Sequence, residues 1–184
     1  QRAQEAGLSV FDVEISLSLV DLYTAVGPVD SARFFMKHLE EDSVYAENYR
    51  GIYDWHWANY FLAAGKPDSA LLFFERSLQH MHPELDFHDK AIMQLDYADL
   101  LLERGQPQRA LEQAKAALQT FKELMDTKNR LKAHTMLEQI YARLDQPKRQ
   151  IHHLKQYQQL NKAYLKRRNA ERLTAQQERL EAKQ

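Results

Sequence analysis

Apolar positions recur at helical spacing in eight blocks, each closed by a short polar turn. In the block around residue 55, Ile52, Trp55, Ala58, Tyr60, Phe61 and Leu62 wrap a wide stripe. After the next turn Ala70, Phe73, Phe74, Ser77 and Leu78 form another. Both follow the 3.6-residue period of an amphipathic helix. The pattern predicts helices over about 9–26, 29–42, 47–64, 67–81, 88–104, 107–125, 128–144 and 147–182. They pair as helix, tight turn, helix.

The turns within the pairs are echoes of one another. Gly27-Pro28-Val29-Asp30-Ser31-Ala32 returns as Gly65-Lys66-Pro67-Asp68-Ser69-Ala70, then as Gly105-Gln106-Pro107-Gln108-Arg109-Ala110. Asp145-Gln146-Pro147-Lys148-Arg149-Gln150 keeps only part of it. Such a period denotes a stack of like units. Glycine is expected to take the left-handed position that ends the first helix of each pair. Proline then opens the second helix, where its missing N–H costs nothing. Asp and Ser nearby suit the positive end of the helix dipole. Between pairs, the stretch from Met81 to Asp86 reads as a loop, with Pro83 biasing His82 away from helix.

Composition narrows the function. Of 184 residues, 44% are hydrophobic and 28% charged, with no cysteine. That excludes disulfides, thiolate nucleophiles and Cys-based zinc sites. No run of about 18 apolar residues reads as a membrane span. Charge is uneven: residues 1–144 hold 15 Lys+Arg against 22 Asp+Glu, whereas residues 145–184 hold 10 against 4. An acidic body thus precedes a basic tail. A start at Gln1 and an end inside a helical pattern suggest a piece of a longer protein.

The repeated units resemble tetratricopeptide repeats. That family sets a small residue in the first helix of each pair against an Ala just after the turn. Ala58 and Ala70 match in the second unit, with Phe61 and Phe74 at aromatic positions. Ala98 and Ala110 match in the third, with Tyr97 and Ala117. The first unit has Ala32 but Val20, and the fourth departs most, with Glu138 and Gln150. The resemblance covers about residues 9–160 and implies a right-handed all-α solenoid of about four units. Residues 161–184 then form a projecting helix or linker. The Pro-Asp-Ser-Ala turn at Pro67–Ala70, with Tyr157, Leu160 and the Arg/Glu-rich 162–181 segment, looks like the sensor region of bacterial signalling proteins. There an exit helix leads to a membrane span or an output domain such as a kinase. The resemblance leaves the compartment open and favours the periplasmic side of a membrane-anchored protein over the cytoplasm, with any membrane segment outside this chain.

In that family the first helix of each unit lines the concave face. The frame then places Asp21, Ile52, Trp55, His56 and Asn59 there from the first two units. Leu95, Asp96, Asp99, Thr135 and Gln139 follow from the last two. A clamp for a peptide carboxylate needs several Lys and Arg at such positions, and here only Asn59 fits one. The frame instead implies an aromatic floor, including Trp57, with a carboxylate rim. Such a groove suits a protein or peptide segment bearing basic and apolar residues. Phosphate loops, nucleophile elbows and zincin motifs are missing, so no enzyme, cofactor or metal is expected. His80, His82 and His88, and the His152–His153 pair, are the histidine clusters that invite a metal. Tyr45, Tyr49, Tyr53 and Tyr60 read as packing residues between units. The acidic body and the few aromatics in the tail argue against nucleic acid. The reading is a non-catalytic binding domain, sensory or regulatory, with a possible homodimer through the last helix. Alternatives are a stand-alone scaffold or chaperone, or a small-molecule or metal sensor.

Overall fold

The computed structural model describes residues 10–41, 49–82 and 86–182. Its described residues form eight α-helices and no strand. These are α1 (Val10–Val26), α2 (Val29–Glu41), α3 (Arg50–Ala63), α4 (Pro67–His80), α5 (Phe87–Glu103), α6 (Pro107–Glu123), α7 (Thr127–Arg143) and α8 (Pro147–Glu181). The helix count and turns follow the apolar period. Tyr49 is a turn residue preceding α3, so that helix starts later than residue 47. Residues 47 and 48, the loop positions 83–85, and Tyr45 lie outside the described residues. None of the described helices is long and apolar enough to cross a membrane.

The chain divides into two compact units, residues 1–93 and 94–184, with the boundary inside α5. In the first, α1 packs on α2 and α3, α2 on α3, and α3 on α4. Val20, Ala32, Met36, Leu39, Tyr53 and Tyr60 form its core. Tyr23 and Phe35 stack beside it at 5.8 Å. In the second, α6 packs on α7 and α7 on α8. Leu100, Leu101, Phe121, Leu137 and Ile140 are fully or almost fully buried there.

The turns explain much of this order. Gly65 and Gly105 adopt φ of +69° and +71°. Met125 and Asp145 adopt φ of 54° and 52° without being glycine. All four close the same pair of bonds. Lys66 N–H reaches Phe61 O at 2.8 Å and Gly65 N–H reaches Leu62 O at 3.0 Å. Gln106, Asp126 and Gln146 repeat the longer bond at 2.8, 2.9 and 3.0 Å. This is the Schellman arrangement, which satisfies the last carbonyls of a helix.

The first turn departs from that expectation. Gly27 is not left-handed. The residue that would supply the longer bond is Pro28, which has no N–H to donate. Gly27 N–H instead reaches Tyr23 O at 3.2 Å. Its missing side chain makes room for the Tyr23 ring: a Cβ there would lie 2.6 Å from Tyr23 Cδ1.

Small residues also set the helix contacts. Val20 and Ala32, Ala58 and Ala70, and Ala98 and Ala110 are all without exposed surface. Each pair is twelve residues apart, at one register of successive hairpins. At the open end of the α3–α4 hairpin, Ser77 Oγ donates to the Gly51 carbonyl at 2.7 Å. A Cβ on Gly51 would sit 2.6 Å from the Met81 backbone nitrogen. In the fourth hairpin, Gln150 Nε2 donates to Glu138 Oε1 at 2.6 Å. A hydrogen bond there takes the place of the small pair. Along α8, every described residue from Leu165 onward is exposed.

Candidate functional site

Within the first unit, α1 carries Asp21 and the facing α3 carries Ile52, Trp55, His56 and Asn59. His56 and Asn59 fall on the side of α3 that meets α1, next to Asp21. His56 is buried, and its Nδ1 lies 3.0 Å from Asp21 Oδ1. Trp55 stacks on His56, ring centroids 5.5 Å apart. Alongside opens a cavity of about 350 Å³ lined by Asp21, Thr24, Ala25, Asn59, Leu62 and Ala63. Its polar side chains are the exposed Asp21 carboxylate, the Asn59 amide and the Thr24 hydroxyl, which donates to the Val20 carbonyl at 2.9 Å. Together they accept from a guanidinium, an ammonium or a backbone N–H, and donate to one carbonyl. Ile52 is half-buried.

Trp57 does not share this floor. Positions two apart on a helix do not face each other. Its indole lies instead among Tyr53, Tyr60, Phe61 and Phe73, at centroid distances of 5.2–6.3 Å. Tyr53 and Tyr60 are buried there as packing residues, whereas Tyr49 is exposed.

In the second unit, Leu95 is a buried core side chain and offers almost no surface to a partner. Asp96 is half-buried and Asp99 exposed, both on α5. Thr135 and Gln139 are exposed on α7. Thr135 Oγ1 donates to the Leu131 carbonyl at 3.2 Å.

Two polar clusters lie outside the frame inferred from the repeat. Asp54 has no exposed surface, yet it sits on the α3 face with Gly51 and Ala58. Arg76 Nη2 approaches its Oδ1 at 2.9 Å and His80 Nδ1 its Oδ2 at 2.8 Å. Arg50 Nε is farther, at 3.9 Å. A carboxylate on an otherwise small-residue face was the available signal, because a buried charge needs partners. Next to it, burial pushes the Tyr53 phenol up to about 12, with Glu40 adding to the rise. In the second unit, His134 and His153 meet Nδ1 to Nδ1 at 3.0 Å. Tyr141 stacks on His153 at 5.4 Å. Burial first, then neighbouring positive groups, hold both imidazoles down to about 4.

The histidine cluster near residue 82 does not converge. His80 turns onto Asp54, and His88 Nδ1 lies 3.7 Å from Asp89. The His82 amide donates to Asp86 Oδ2 at 2.8 Å. Among the described residues no group of three or more His, Asp or Glu is set to hold a metal ion. Set against protein families, curated proteins and solved structures, the chain matches none of them.

Proposed function

We propose that this chain is a non-catalytic protein- or peptide-binding domain whose helical hairpins stack in the manner of tetratricopeptide repeats. Its place would be the sensory or regulatory part of a bacterial signal-transduction protein. The twelve-residue register of small pairs and the four Schellman turns support the repeat reading. The exposed end of α8 suits a segment that continues toward an output.

The cavity beside Asp21 and Asn59 carries the binding reading. It is open, and it lies next to the stacked Trp55–His56 pair. Asp21 has most of its side chain in water, so it is available to a Lys or Arg of a partner. The partner is a segment that places a basic side chain on Asp21 and an apolar one against Trp55. Asp96 and Asp99 give the second unit an acidic face of its own on α5.

Fluorescence polarisation with a panel of labelled peptides mixing basic and apolar residues tests this. The tightest binder should lose at least about fivefold in affinity on Asp21→Asn or Trp55→Ala, the loss of one charge-assisted or anchoring contact. Circular dichroism should show both variants folded. Equal affinity for parent and variants would overturn the assignment of this groove.

A further inference from the structure

A second cavity in the first unit, of about 270 Å³, opens among α2, α3 and α4. Trp57, Phe61 and Phe73 form its walls. The Trp57 and Phe61 rings lie nearly parallel at 5.6 Å, and Phe73 is tilted by 36° to each. Its charged rim comes from separate helices: Glu40 from α2, Arg50 from α3 and Arg76 from α4. Of the residues the repeat frame assigned to the peptide groove, Trp57 alone lines it, and Trp57 faces away from Asp21 and Asn59.

An aromatic cavity with a carboxylate resembles a cage for a cation. Here the cation is already present. The Arg76 guanidinium lies 4.7 Å from the Phe73 centroid, and its Nη2 is held 2.9 Å from the buried Asp54. A cationic ligand would meet this fixed positive charge and that of Arg50. Asp54 already balances Arg76. Two charges at the mouth are less tightly held: Arg50, whose Nε lies a looser 3.9 Å from the same carboxylate and which keeps about half its side chain in water, and the exposed Glu40, which also acts on the Tyr53 phenol that lines the cavity. A purely anionic ligand would be repelled by Glu40, and a purely cationic one by Arg50. A zwitterion satisfies both. The cavity lies just below the volume of about 300 Å³ at which pockets for drug-sized ligands begin, which suits one ring and a small polar head.

We infer that this cavity is a binding site for a free aromatic α-amino acid. The ring lies against the wall that Trp57, Phe61 and Phe73 present to the cavity. The carboxylate takes the Arg50 guanidinium, and the ammonium takes Glu40. Rings in a walled slot gain both burial and offset stacking, and each end of the zwitterion makes a charge-assisted hydrogen bond. The site is independent of the peptide groove, and the domain would then answer to a small molecule on one face of α3.

Isothermal titration of the whole chain with L-phenylalanine, L-tyrosine and L-tryptophan tests the inference, with 3-phenylpropionate and phenethylamine as single-charge probes. At least one amino acid should bind, and each single-charge probe should bind about tenfold or more weakly. Arg50→Gln should weaken the amino acid at least about tenfold. Glu40→Gln should weaken it similarly while leaving 3-phenylpropionate no weaker than before. Phe73→Leu should reduce binding of every probe, and thermal melting separates this from a loss of fold. Absence of heat with all three amino acids at millimolar concentration overturns the site. So does tighter binding of either single-charge probe than of the amino acid, or an Arg50→Gln variant that binds like the parent.

Discussion

Gln150 donates to Glu138 at 2.6 Å at the same register where Ala58 and Ala70 close an earlier hairpin. Four residues before Glu138 on α7, and three after Gln150 on α8, His134 and His153 are also joined. The last hairpin is thus held by a polar seam where earlier ones use small side chains. Half-buried polar groups of this kind cost stability when one partner is lost, more than they add as a pair.

A double-mutant cycle on Glu138→Ala and Gln150→Ala should reveal that asymmetry. Each single variant should lose about 1–2 kcal/mol. The double should lose less than the sum, with a coupling of about 1 kcal/mol. Strictly additive losses in urea titrations would show that the 2.6 Å contact contributes nothing.

The histidine pair predicts an acid response. In the folded protein both imidazoles are held at about 4, from an ordinary 6.5, by burial first. His134 is then opposed by His153, Lys122, Arg130 and His152, and His153 by His152, Lys122 and Lys115. Between those values the unfolded chain takes up protons that the folded one refuses. Stability is therefore complete above about pH 6.5 and declines as pH falls to about 4. A His134→Leu, His153→Leu double variant should show a shallower fall in Tm across that window than the parent. Parallel curves would remove the pair as the cause.

Gly51 predicts a tight steric limit. The backbone of Met81 occupies the space that a Cβ would need, at 2.6–2.7 Å. Backbone atoms cannot swing away as a side chain end can. Gly51→Ala should cost about 1–3 kcal/mol through overpacking, despite the better helix propensity of alanine. A variant that melts at or above the parent temperature would contradict this close approach.

Met125 predicts the opposite sign. It holds φ at 54° with its side chain 80% exposed, so it carries strain without packing in return. Met125→Gly should stabilise by about 0.5–1 kcal/mol, the relief of left-handed strain less the added entropy of the unfolded chain. That corresponds to a rise of about 1–4 °C in Tm. Asp145→Gly should gain less, because Asp tolerates the left-handed region better. Thermal melts of the two variants rank them directly.

Element boundaries were legible to within a few residues because they are local. A helix needs its own apolar period and a terminator within one or two turns. The second, third and fourth turns therefore follow from sequence, even where Asp145 replaces glycine. The first turn misleads, because its proline stands one place too early and removes the N–H that the turn requires. Asp21, His56 and Asn59, which the repeat frame puts at one register, also lie close together where α1 meets α3. Trp57 was not, since adjacent apolar residues on a helix look alike until the neighbouring helix shows which side it covers.

The sequence alone determined the eight helices, their pairing through short turns and the register of small residues at helix contacts. Each depends on residues within about a dozen positions of one another. Only the tertiary structure decided the partners of Asp54, one of them 26 residues away, and the meeting of His134 with His153 across 19 residues. It also decided that Arg76 fills the cation position of the aromatic cavity. Such contacts depend on how one helix face is rotated against another, and residue spacing within a helix does not encode that rotation.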